Sequence, residues 1–144
     1  MKNARTNEAE TGDTLKGALI LARFPTRCNT VIAEVLARLL RHERMTGLDA
    51  VAEASTTRLA AVVHVLREEY GWEIQSNDKA AGCKDGRVAW VAEYTIAPAV
   101  IAALSDVATR WCATVWKERS AMRARAAEAR RKAELERATK EQQR

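Results

Sequence analysis

Few side chains in this chain have the type and spacing for covalent or metal chemistry. The two histidines, His42 and His64, stand far apart, and Cys28, Cys83 and Cys112 are equally scattered. No CxxC pair or Cys/His cluster has zinc spacing, and no Ser, Cys or acid is placed to complete a triad with His64. No metal site, cofactor or catalytic residue is therefore expected, and the protein reads as a binding protein with no enzyme in it. An odd number of cysteines predicts free thiols and a reducing compartment, and the cytoplasm fits best.

The stretch "EASTTRLAAVVHVLREEYGW" offers a different kind of chemistry. Leu59, Val62, Val63, Leu66 and Tyr70 recur at helical spacing and form one apolar stripe. At about 100° per residue, Thr57, Ala61, His64 and Glu68 point away from it, with Arg58 and Val65 at the flanks. Hydroxyl, guanidinium and imidazole donors are thus left without a core to serve. Glu68 and Glu69 share that surface, and it has no Asn, Gln or Lys. Ser55 or Thr56 is the expected cap, and Gly71 stands where a left-handed C-terminal cap is needed.

Other elements must hold that helix in place. "CNTVIAEVLARLLRHERM" predicts a first helix capped by Asn29 or Thr30, with Val31, Ile32, Val35, Leu36, Leu39 and Leu40 as its stripe. "MTGLDAVAEA" predicts a second, with a capping-box offset from Thr46 to Asp49 and Leu48, Val51 and Ala52 inward. After Gly71 the period changes to alternation: "WEIQS" and "VAWVAEYTI" predict two strands joined by a long, flexible polar tip, "NDKAAGCKDGR". Asp85-Gly86 within that tip is a hairpin signal. Pro98 opens a last helix, whose Ile101, Leu104, Ala108, Trp111 and Val115 make a short heptad seam. Trp72, Trp90 and Trp111 are expected to wedge wing and helices together. Trp116, beside the seam, is expected to be partly exposed.

Composition bounds the function classes. Apolar residues reach 47%, but many are alanine, so the core is small. The longest apolar run, Ala18–Ala22, is too short to span a bilayer. The formal net charge of +5 is unevenly spread: Met1–Trp116 carries 14 basic and 14 acidic residues, and Lys117–Arg144 the remaining 10 and 5. A neutral globular part is not the footprint of a strong non-specific nucleic-acid binder. The organisation expected is a disordered leader (1–13), a domain (14–96), a C-terminal helix (97–122) and a basic helical tail (123–144). Pairs such as Glu128/Lys132, Lys132/Glu136 and Glu136/Lys140 would support that tail as a solvated helix.

Three helices followed by a hairpin make a mainly α (α+β) fold. "LARLLRHERMTGLDAVAEASTTRLAAVVHVLREEYGWEI" resembles the small winged helix-turn-helix domains of phage and prophage proteins. The likeness lies in "TGLDAV" opening helix two, "TTRLAAVVHVLRE" as helix three and "GWEI" leading into a two-stranded wing. It covers about half the chain. The resemblance implies a DNA-binding protein of a bacterial host cytoplasm, possessing no cofactor, with helix three in the major groove. The residues it implies are Thr56, Thr57, Arg58, Ala61 and His64 on helix three, with Lys79, Lys84 and Arg87 of the wing on phosphates. The long C-terminal helix has two readings: a fourth helix of the core, or a homodimer seam through Ile101, Leu104, Ala108, Trp111 and Val115. The competing function is a protein–protein module, an adaptor or inhibitor of a host or phage complex. RNA binding through the tail is a weaker third, because its arginines alternate with glutamates.

Overall fold

A computed structural model of the chain describes residues 22–144. The expected leader (1–13) and residues 14–21 of the expected domain lie outside these residues. Among the described residues the order is α1 (Val31–Leu40), α2 (Gly47–Ala54), α3 (Leu59–Glu68), β1 (Gln75–Gly82), β2 (Val88–Thr95) and α4 (Pro98–Gln142). The expected succession of three helices, a hairpin and a long C-terminal helix is observed.

Helix α1 begins where Thr30 Oγ1 accepts the Ala33 N–H at 3.1 Å. Its stripe of Val35, Leu36, Leu39 and Leu40 is buried, and Val31 and Ile32 are half-buried against it. Helix α2 starts on the capping box foreseen between Thr46 and Asp49. Its inward face differs from expectation. Ala50 and Ala54 are buried, whereas Leu48 is 78% exposed and Val51 and Ala52 also face solvent. Eight residues make little more than two turns, and packing through methyl groups brings α2 close to its neighbours. That closeness outweighs the roughly 2 kcal/mol a buried leucine offers.

The link between α2 and α3 also departs from the sequence reading. Ser55 does not cap α3; it ends α2 in the left-handed region at φ 59°. Helix α3 begins one turn later, with Arg58 as N-cap and no side-chain cap. Thr56 Oγ1 instead accepts the Arg58 N–H at 3.0 Å. The buried face of Leu59, Val62, Val63 and Leu66 is as expected, and Gly71 adopts φ 71° beyond the helix.

The hairpin is longer and its tip shorter than the polarity of "NDKAAG" suggests. β1 runs through those residues, paired antiparallel with β2 from Gln75↔Thr95 to Gly82↔Val88. The ladder offered by the β-branched and aromatic residues of β2 overrides the weak strand preference of β1. The connection is a tight turn: Gly86 N–H donates to Cys83 O at 3.1 Å, with Gly86 at φ 84°. Met45, between α1 and α2, makes an isolated antiparallel bridge to Tyr94 and anchors the wing base to the helices.

Helix α4 packs along α1. Ala108, Cys112 and Val115 are buried there, and Ile101, Leu104 and Trp111 are half-buried against the same core. The five seam residues therefore complete their own chain's core. Ile101, Leu104 and Trp111 keep part of their surface exposed. Phe24 fills the space between Trp72 and Trp111, with ring centroids 5.3 and 5.0 Å away. Both indoles donate to the entering segment, Trp72 Nε1 to Arg23 O and Trp111 Nε1 to Pro25 O.

The strongest tie is ionic. Glu34 of α1 has no exposed surface, yet it faces Arg119 at 3.1 Å and Arg123 at 2.6 Å, both from α4. Arg38 stands 3.7 Å from the same carboxylate. Arg38 and Arg123 also donate to Glu53 O at 3.2 and 3.0 Å, so the cluster joins α1, α2 and α4. Trp116 lies beneath the guanidinium groups of Arg38 and Arg41, at 4.7 and 4.8 Å.

Beyond Arg123 the helix runs on in solvent to Gln142, about 28 Å at 1.5 Å per residue. The pairs foreseen at Glu128/Lys132, Lys132/Glu136 and Glu136/Lys140 are open. The intrahelical pair that forms in this stretch is Arg137–Glu141, at 3.3 Å.

Removing one member of a buried ion cluster strands the others. Glu34→Ala should lower the unfolding free energy by about 3–5 kcal/mol, read from urea titrations. The double change Glu34→Leu with Arg119→Met should recover most of that loss.

Candidate nucleic-acid interface

The side chains of the α2–α3 turn and the outer face of α3 are assembled by local rules. The left-handed Ser55 turns the chain, Thr56 holds the Arg58 amide, and the buried stripe fixes the rotation of α3. Thr57, Arg58, Ala61 and His64 are exposed, and Thr56 is partly so. Thr56, Thr57 and Arg58 lie in the turn before the helix, so they stand at its N-terminal entrance. The first turn of α3 carries no acidic residue and no side-chain cap. Its amide donors and the positive end of the helix dipole are free to meet an anion beside the Arg58 guanidinium.

The glutamates that spoil this face are far from that entrance. Glu68 and Glu69 close the opposite end, ten residues on and about 15 Å along the axis. That exceeds the screening length of about 8 Å at physiological salt, so they scarcely weaken the field at Arg58. Next to them, Arg67 has no role toward a ligand. It donates to Ile74 O at 3.1 Å through Nε, and its guanidinium lies 5.9 Å from the Tyr94 ring centre. Arg67 thus couples the end of α3 to the base of the wing.

The three wing cations differ in availability. Lys79 is held by Glu93 at 3.2 Å, and Arg87 is bound to Asp85 within the turn. Lys84 is exposed and makes no ion pair among the described residues. The structure therefore brings Thr56, Thr57, Arg58, Ala61 and His64 together on and before α3, with Lys84 as the unneutralised cation of the wing. Lys79 and Arg87 are exposed, but they would have to exchange an acid for a phosphate.

The expected wedge of tryptophans holds only in part. Trp72 is buried and Trp111 half-buried, but Trp90 is 70% exposed on the wing. Its cross-strand partner is Ala80, and neighbouring Val88, also exposed, faces Gly82. The signal was available in the sequence, since alternation places Trp90 near the tip, beyond reach of the helices. Trp116, expected to be partly exposed at an interface, is half-buried beneath the two arginines of α1.

No group of three or more His, Cys, Asp or Glu residues that could hold a metal occurs among the described residues. An open groove of about 710 Å³ beside the wing base mixes His42, Glu43 and Arg44 with Lys79 and Glu93, so no single charge dominates it. No described helix is long and apolar enough to cross a membrane. Cys28, Cys83 and Cys112 are free. Burial pushes the Cys112 thiol up to about 11, partly offset by Arg41, and burial with Glu118 raises Cys28 as well. Alkylation of the folded protein at pH 8 should modify exposed Cys83 first and leave Cys112 intact until denaturant is added, as peptide mass mapping would show.

Comparison with known proteins agrees with this geometry. Residues 30–99 match the family model described as a winged helix-turn-helix domain. No curated protein and no solved structure matches the chain.

Proposed function

Starting from a winged helix-turn-helix domain at residues 30–99, a fold of the DNA-binding class, we propose that the protein is a sequence-reading DNA-binding protein of phage or prophage type that regulates transcription. The observation that carries this reading is the N-terminal entrance of α3. There Thr57, Arg58 and Ala61 are exposed, the first turn is uncapped, and the nearest acids of the helix lie at its other end. Arg58 and His64 read base edges in the major groove, and Thr56 and the first-turn amides hold a phosphate. Lys84 meets the backbone from the wing tip, and Lys79 and Arg87 join it by releasing Glu93 and Asp85. The solvated end of α4 adds sequence-independent attraction. Its cations outnumber its acids.

A protein–protein role has its own support, because Leu48 and Val51 of α2 are large, apolar and exposed. An adaptor built on this scaffold would use that face and leave α3 idle.

The test is duplex binding by fluorescence anisotropy across a salt series. Full-length protein should bind some duplexes more tightly than others at low salt. Arg58→Ala should weaken the preferred duplex roughly 5- to 100-fold and flatten its advantage over mixed sequence. Equal affinity of Arg58→Ala and the parent would sink the α3 reading. A chain ending at Ala124 keeps Arg119 and Arg123 in place, and should lose affinity while retaining its ranking of duplexes, with a shallower salt slope. A ranking that vanishes with the tail would mean that α3 does not read sequence.

A further inference from the structure

The globular part is neutral, and its free cations near the interface are few, so phosphate contacts alone would hold duplex DNA weakly. A winged domain of this charge needs a contact that salt does not screen. The wing carries one. Trp90 is 70% exposed and Val88 61% exposed on the same face of β2. The positions opposite them on β1 are Ala80 and Gly82, two of the smallest residues, so no cross-strand side chain covers the indole. A flat group can lie against the ring without displacing anything.

This aromatic face is continuous with the cationic end of the wing. The turn after β1 holds Lys84, and Arg87 directly precedes Val88. Strand alternation turns Arg87 to the face opposite Val88 and Trp90, so Lys84 of the tip is the cation left to accompany the ring. The base of the wing is tied to the helices by Arg67, which binds Ile74 O, and by the bridge from Tyr94 to Met45.

We infer that Trp90 is a DNA-contact residue, its indole packing on the sugar and base edge of one strand while Lys84 takes a nearby phosphate. This rests on the DNA-binding reading and deepens it. The contact supplies affinity that persists as salt rises, and it favours steps whose bases unstack easily, where more of the ring is covered. Val88 extends the apolar surface toward the tip, and Asp78, facing Ala92 nearer the base, marks where it ends.

The experiment uses the full chain with labelled mixed-sequence duplex of 20 base pairs, titrated at low and moderate salt. Trp90→Ala should weaken binding roughly 5- to 100-fold at both salts, without changing the salt slope, and Trp90→Phe should stay within about threefold of the parent. Circular dichroism checks that the variants remain folded, which the exposure of residue 90 leads one to expect. Parent protein that binds duplex while Trp90→Ala binds equally well would overturn this inference and leave the DNA reading standing. Parent protein that binds no duplex at low salt would overturn both. Light scattering provides the remaining arm: if the parent is a dimer and Trp90→Ala a monomer, the indole faces a second copy and the inference falls.

Discussion

The arrangement of this molecule depends on one buried carboxylate. Glu34 sits fully within the protein, and ion pairs from Arg119 and Arg123 of α4 compensate for its removal from water. A cluster of this kind contributes little net stability compared with apolar packing of equal volume, but it discriminates sharply between arrangements. Helix α4 is rich in alanine and small residues, which would tolerate a shift of one turn along α1. A shift would strand Glu34, so the ion cluster fixes the register that the alanines leave open. Through Glu53 O, Arg38 and Arg123 reach the end of α2, immediately before the turn that aims α3.

That placement explains how a neutral domain can still present a directed face. Charges that would otherwise contribute to the surface potential are paired with Glu34, as at Arg38, Arg119 and Arg123. What remains outward near α3 is sparse and ordered along the helix axis: donors at the entrance, acids at the exit. The field is set by position more than by count. The wing repeats the pattern at smaller scale, with paired charges flanking one exposed ring.

Much of this was legible in the sequence where a local rule decides. The caps at Thr30 and Thr46, the stripe of α1, the buried face of α3 and the left-handed Gly71 and Gly86 all follow from residue type and period. The failures share a physical cause, which is that distant partners set the outcome. In α2, Leu48 and Val51 were expected inside because they are large, but the neighbouring helices accept only the methyls of Ala50 and Ala54. "NDKAAG" has poor strand preference and becomes strand because β2 supplies the ladder. Glu34 and Arg38, four apart, were not expected in the core. Their place beside Val31 and Val35 on one stripe was the available hint that both point inward. The seam of α4 was correctly periodic, yet period alone does not say whether the partner helix belongs to the same chain. For the interface, exposure of Thr57, Arg58, Ala61 and His64 followed from the helical wheel, whereas the engagement of Lys79 by Glu93 depended on strand register and that of Arg87 by Asp85 on the form of the turn.

The span between Glu34 and its arginines also has a consequence in time. Arg119 lies 85 positions downstream of Glu34. At the roughly 5–20 residues per second of protein synthesis, the carboxylate waits about 4–17 s for its first partner on α4. During that interval α1, α2, α3 and the wing can form their local contacts, with Arg38 alone beside the Glu34 carboxylate. Closure of the core around Glu34 therefore follows the synthesis of α4 as far as Arg119.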